Sequence, residues 1–162
     1  MKMKMRLQYA ILLLFVVVST TTSCSKEALD NTSLIEAENN VVVEQELLSI
    51  VNDHRLSLGQ NALEFSTVAY TYANSHTDYM IAKGSISHDN FSSRASKISS
   101  ETNAEFVAEN VAKDFSNAKD AFEEWLSSAS HKKTMEGEFT HTAVSVKIDQ
   151  GGNLYFTQLF FR

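Results

Sequence analysis

Cysteine is almost absent from this sequence, because Cys24 is the only one among 162 residues. A lone cysteine excludes a disulfide within the chain, so the folded part must be held together by its hydrophobic core. A single domain of this length can bury about two-thirds of the surface that its unfolded chain exposes, which is sufficient without cross-links. Proline is missing altogether, and there are only five glycines.

Beyond the first six residues, clusters of lysine and arginine are also missing, and the chain carries a net charge of −6. Nucleic acids and anionic membranes are bound largely through such clusters, so we expect no nucleic-acid partner. The patterns H-E-x-x-H and G-x-S-x-G are absent too. Those two patterns would have indicated a zinc peptidase and a serine hydrolase.

The longest apolar run, from Leu7 to Val18, follows a basic stretch and precedes small residues at positions 20–23. This order predicts a signal peptide over residues 1–23, because the run is too short for a spanning helix. The segment resembles a bacterial lipoprotein signal, in which cleavage exposes the next residue, here Cys24, for diacylation. The resemblance implies an exported protein whose acyl anchor on Cys24 holds it to the cell envelope, at the outer membrane, in the periplasm or at the surface.

Residues 24–40 are polar and acidic without regular spacing, which predicts a flexible tether before a domain over residues 41–162. Within the domain, apolar residues recur at helical spacing in three stretches. These stretches are Val43–Leu58, Ala69–Met80 and Ala118–Ala129. Ser66 and Asn117 predict N-caps for the second and third helices, and Gly84 predicts the end of the second.

Strand patterns occupy the second half of the chain. A half-apolar run predicts a strand that reaches Glu109, and Val144 to Ile148 alternate with less apolar residues. A turn cluster at 149–153 and the aromatic run Leu154–Phe161 complete a predicted hairpin. The serine-rich stretch 84–100 predicts a loop, with at most a turn of helix from Ser92 onward. Together these elements predict an α+β domain in which a small antiparallel sheet is flanked by helices.

Two imidazoles and one carboxylate, in three separate segments, form the candidate site: His88, Glu109 and His131. A zinc ion takes such a set and keeps one position open, where bound water could act as a nucleophile, as in a metal-assisted hydrolase or peptidase. Alternatively, Glu109 accepts hydrogen bonds from both imidazoles and ties two loops to the sheet, since buried polar groups must be paired. The residues leave both interpretations open.

Six short motifs follow one another over residues 44–162. They are Asn52 with Arg55, Ala73–Met80 as A-x-x-H-x-x-x-M, His88–Phe91 followed by Arg94, Glu109-Asn110, Trp125–Lys132, and Tyr155–Phe160 as Y-x-x-Q-x-F. In this order they resemble the CAP superfamily, the SCP-like domains of cysteine-rich secretory proteins, venom antigens and plant pathogenesis-related proteins. The resemblance implies a three-layer α-β-α sandwich.

The family also implies a cleft lined by two histidines and two acids. His88, Glu109 and His131 match three of these positions, Ser128 stands at the fourth, and Asn110 adjoins the matched glutamate. The resemblance favours a binding role, with a divalent cation such as zinc, a lipid, a peptide or another envelope component as the ligand. A hydrolase that uses the same residues, and an envelope module with a vestigial cleft, are the alternatives.

Overall fold

The computed structural model describes residues 37–162, so the predicted signal peptide, Cys24 and most of the predicted tether lie outside the described residues. Residues 37–162 form five helices and four strands. They are α1 (Val41–Ser57), β1 (Glu64–Phe65), α2 (Thr67–Lys83), α3 (Phe91–Thr102), β2 (Val107–Lys113), α4 (Ala118–Ser127), α5 (Ala129–Met135), β3 (His141–Ile148) and β4 (Leu154–Phe161). Within residues 37–162, none of the helices is both long and apolar enough to cross a bilayer.

The strands form one sheet in the order β1-β3-β4-β2. β3 and β4 pair as the predicted antiparallel hairpin, and β2 lies antiparallel to β4 on its other side. The two-residue β1 pairs in parallel with β3, so the sheet is mixed rather than purely antiparallel. β2, which carries Glu109, is therefore an edge strand.

Helices cover both faces of this sheet. Phe156 and Phe160 of β4 pack on one face with Trp125 of α4, in a cluster that also contains α1 residues. Leu159 and Phe161 point to the other face and pack with α2 and α3. Alternation along a strand sends neighbouring side chains to opposite faces, so the central β4 is buried along its whole length. The α-β-α sandwich is confirmed.

The predicted helix ends on either side of the site are confirmed. The Ser66 side chain accepts a hydrogen bond from the Ala69 N–H, and the Asn117 side chain accepts one from the Asp120 N–H. Such caps satisfy backbone donors that the helix leaves unpaired. Gly84 ends α2 with φ 74°, a left-handed conformation that glycine adopts without steric penalty.

Two predictions at the site were wrong. The stretch 84–100 was predicted to be a loop with at most one turn of helix from Ser92, but the loop ends at Asn90 and Phe91 begins the twelve-residue helix α3. Its serines have weak helix propensity, but Arg94 and Ile98 are buried on one side, and this tertiary packing overrides propensity. Ala129 does not continue α4 either, since Ser128 adopts an extended conformation (ψ 119°) and a separate helix follows.

Arg55 fixes the chain beyond α5. The buried guanidinium donates hydrogen bonds to the carbonyl oxygens of Met135 (2.7 Å) and Gly137 (2.8 Å), and also to those of Asn61 and Phe139. Asn52, one turn earlier, exchanges two hydrogen bonds with the backbone of Leu63. The N-x-x-R motif is therefore structural, and it anchors the end of the helix that carries His131.

Candidate functional site

Glu109 lies at the centre of the site, and its carboxylate is bound by Arg94. Arg94 Nε donates to Oε2 at 2.9 Å, and Arg94 Nη2 lies 2.8 Å from Oε1 and 2.7 Å from Oε2. The Glu109 side chain is only 1% exposed. A buried carboxylate needs such charge-assisted hydrogen bonds, because burial without a partner is costly. Arg94 Nη1 also donates to the Asp89 carbonyl oxygen at 2.7 Å, so the same guanidinium holds the loop before α3.

His88 is the second partner of the carboxylate. Its Nδ1 lies 2.9 Å from Glu109 Oε1, whereas 54% of the His88 side chain is exposed. A carboxylate oxygen can only accept, so this contact assigns the proton to Nδ1. The other ring nitrogen, Nε2, is left for solvent or for a ligand.

His76 is buried beside this pair. Its Nε2 donates to the Ser87 carbonyl oxygen at 2.6 Å and lies 3.7 Å from Glu109 Oε1. Burial is the largest effect on this imidazole and lowers its pKa below the ordinary value. The lowered pKa favours the neutral imidazole, and its hydrogen bond to Ser87 holds the backbone next to His88 in place.

The Asn110 side chain lies on the face of β2 opposite to that of Glu109, because neighbouring strand residues point in opposite directions. It is fully buried, and its Nδ2 donates to the His131 carbonyl oxygen at 3.1 Å. The Glu109-Asn110 dipeptide thus fixes the His88 loop on one side of the edge strand and α5 on the other.

His131 is half-buried on α5. Burial lowers the pKa of its imidazole, and the nearby charge of His88 lowers the pKa further. The Nδ1 atom is buried without a hydrogen-bond partner in the described part of the chain. Any ligand of this ring would therefore contact Nε2.

The structure joins His88 to Glu109 directly and brings His131 within electrostatic reach of His88. Between residues 37 and 162, no hydrogen bond or ion pair links His131 to Glu109. In the same part of the chain, no three His, Cys, Asp or Glu side chains are arranged to hold a metal ion. Ser128 lies at the junction of α4 and α5, where its Oγ is 3.3 Å from Ser130 Oγ.

Arg94 and His76 were not among the predicted site residues. Arg94 was named only as part of a motif in a segment predicted to be mainly loop, and that motif does not indicate that its side chain contacts β2. His76 lies on the apolar stripe of α2, a position typical of a core histidine. The available signal was its place in the A-x-x-H motif.

Comparisons with known proteins agree with this architecture. The sequence profile of the CAP group, described as the cysteine-rich secretory protein family, matches residues 48–160. No curated protein sequence matches the chain at a significant level.

Several solved structures share the fold. An outer surface protein from Borrelia burgdorferi superposes with a TM-score of 0.70 at 18% identity, over 78% of this chain and 98% of that protein. A cysteine-rich secretory protein from Staphylococcus aureus superposes with a TM-score of 0.65 at 16% identity, over 75% of this chain and 38% of that protein. An extracellular SCP-domain protein from Bacillus anthracis superposes with a TM-score of 0.65 at 22% identity, over 75% of this chain and 41% of that protein.

The lowered pKa of His131 predicts a loss of stability in mild acid. Below about pH 6.5 the unfolded imidazole takes up a proton that the folded one resists, so the unfolded state binds more protons and the free energy of unfolding falls. His131→Gln should make this fall shallower in urea titrations at pH 7.5 and pH 5.5. Ser130→Ala, which removes no titrating group from the same helix, should retain the wild-type fall. If the free energy of unfolding of His131→Gln fell between pH 7.5 and pH 5.5 by as much as that of the wild type, the lowered pKa of His131 would be contradicted.

Proposed function

The chain belongs to the cysteine-rich secretory protein family, and from that premise we propose that it is an exported protein of the cell envelope that acts by binding. The binding surface is formed by His88 and His131. Glu109 is the buried anchor beneath it, and Ser128 and Asn110 belong to the surrounding cleft, with Asn110 in a supporting position. The extracellular and surface descriptions of the similar solved proteins support the location.

The observation that supports this proposal most strongly is the hydrogen bonding of the Glu109 carboxylate. A general base needs a free lone pair within reach of the substrate, and a metal ligand needs a free oxygen. Both carboxylate oxygens are engaged by Arg94, and one is also engaged by His88. Releasing a buried carboxylate from its partner costs about 3–5 kcal/mol, so this arrangement favours binding over hydrolysis.

We propose that a divalent cation such as zinc binds at the two imidazoles. Carboxylates that accept a hydrogen bond from one nitrogen of a histidine orient the other nitrogen toward a metal, and Glu109 stands in this relation to His88. His131, with its lowered pKa, favours the neutral form that metals bind. A bound cation would supply a Lewis-acidic contact for an oxygen or nitrogen of the ligand.

Zinc affinity tests this assignment. His88→Ala and His131→Ala should each weaken zinc binding by about tenfold or more in calorimetric titrations, because each removes one ligand. Glu109→Gln should weaken it as well, since an amide orients His88 less strongly. The control is His141→Ala, which changes a histidine on β3 and should bind as the wild type does. Wild-type affinity in either His88→Ala or His131→Ala would contradict the proposal.

Attachment to a membrane through Cys24 completes the proposed role. Its support is the order of basic residues, apolar run, small residues and cysteine at the N-terminus, which is typical of lipoprotein signals. Cys24 is the only cysteine, so it has no partner for a disulfide within the chain, which agrees with a role as the site of lipid attachment. The ligand would then be a lipid, a peptide or another component within reach of the envelope.

Cys24→Ser should release the protein from membranes when the full chain is produced in a bacterium that processes lipoproteins. The wild type should enter the detergent phase and carry the mass of a diacylglyceryl group on its N-terminal peptide. Ser25→Ala, at the neighbouring position, should behave as the wild type. Detergent partitioning that Cys24→Ser leaves unchanged would mean that something other than this cysteine holds the protein.

A further inference from the structure

A polar groove lies between α2 and α3, apart from the exposed imidazoles of His88 and His131. Its volume is about 420 Å³, within the range of small-molecule sites. The lining residues are Thr71, Tyr72, Ser75, His76, Tyr79, Asn90, Ser93, Arg94 and Lys97. None of them is acidic, although the chain as a whole carries a net charge of −6. The lining itself therefore carries the cations Arg94 and Lys97 and no carboxylate, while Asp89 and Glu101 adjoin its two ends.

Two tyrosines stand at the ends of the groove. Tyr79 donates to Asp89 Oδ2 at 2.7 Å, and Tyr72 donates to Glu101 near the end of α3. These hydrogen bonds fix both phenol groups, and the Tyr79 ring also stacks on His76 with centroids 5.8 Å apart. Seven residues separate the tyrosines, about 10.5 Å along a helix that rises about 1.5 Å per residue. That spacing suits a ligand about two sugar rings long.

Small hydroxyl residues occupy the space between the tyrosines. Ser75 on α2 and Ser93 on α3 are both exposed, and neither hydroxyl has a hydrogen-bond partner within the described residues. A serine hydroxyl can donate one hydrogen bond and accept others, which matches the hydroxyl groups of a sugar. Aromatic rings complement the apolar C–H face of the same sugar rings.

The two cationic side chains of the groove differ in whether they are free to bind an anionic ligand. Arg94 is committed to Glu109 and to the Asp89 carbonyl. Lys97 is exposed and forms no ion pair in the part of the chain that the structure describes. An anionic group in the groove would therefore be bound by Lys97, because the charge of Arg94 is already compensated by Glu109.

We propose that this groove binds an acidic saccharide of about two rings, with the sugar rings against Tyr72 and Tyr79 and a carboxylate near Lys97. The proposal is independent of the cation at His88 and His131. His131→Ala should bind the saccharide as the wild type does, so the two proposals can fail separately.

Digalacturonic acid is the probe, and neutral α-1,4-galactobiose is its matched control. The test protein is the compact unit that begins at residue 35. In NMR titrations, digalacturonic acid should shift the amide signals of α2 and α3 and bind about fivefold or more tightly than galactobiose, because only the acid can pair with Lys97. Lys97→Met should remove this preference, whereas Lys119→Met, on α4, should preserve it.

A second pair of variants guards against effects on folding. Ser93 is exposed in the first turn of α3, where glutamate is compatible with a helix. Ser93→Glu should weaken digalacturonic acid binding by about tenfold through charge repulsion, and the equally large Ser93→Gln should weaken it far less. No binding of digalacturonic acid, shifts outside the groove, or equal affinities in these two variants would overturn the proposal. Binding to anionic lipid vesicles in place of the disaccharide would also overturn it.

Discussion

The ion pair between Arg94 and Glu109 is the interaction on which the rest of the site depends. A carboxylate at the edge of the sheet can be buried only if its charge is met, and the guanidinium meets it with two parallel hydrogen bonds. The remaining capacity of the carboxylate then fixes the tautomer of His88. The exposed imidazole is thus held by a charge that is itself inaccessible to a ligand, and this arrangement supports the proposed binding role.

An edge strand lets this arrangement reach both layers of the sandwich. Because Glu109 and Asn110 point to opposite faces of β2, one side chain holds the loop before α3 and the other holds the backbone of His131. Arg94 and His76 lie on the same face of β2 as Glu109. Both side chains lie close to the buried carboxylate, and both also line the groove between α2 and α3. The two proposed binding surfaces therefore share one buried polar cluster without sharing a ligand group.

Local sequence signals predicted the elements around the site, and tertiary contacts decided its chemistry. Ser66 and Asn117 cap their helices through contacts only three residues apart, so the sequence contains what is needed to predict them. The helix at Arg94 depends instead on burying Ile98 against distant residues, which a serine-rich segment does not reveal. Motif order located Glu109, His88 and His131, but it could not show that both oxygens of Glu109 are hydrogen-bonded to Arg94, because that pairing exists only in three dimensions.

A double-mutant cycle on Arg94 and Glu109 tests the central claim most directly, with free energies of unfolding measured in urea. Arg94→Met and Glu109→Gln should each lower the free energy of unfolding by about 3–5 kcal/mol, because each leaves a buried group without its partner. The double variant should lose less than the sum of the two, by about 2–3 kcal/mol, as expected for residues in direct contact. Losses that add to within about 0.5 kcal/mol would show that the pair does not anchor the site.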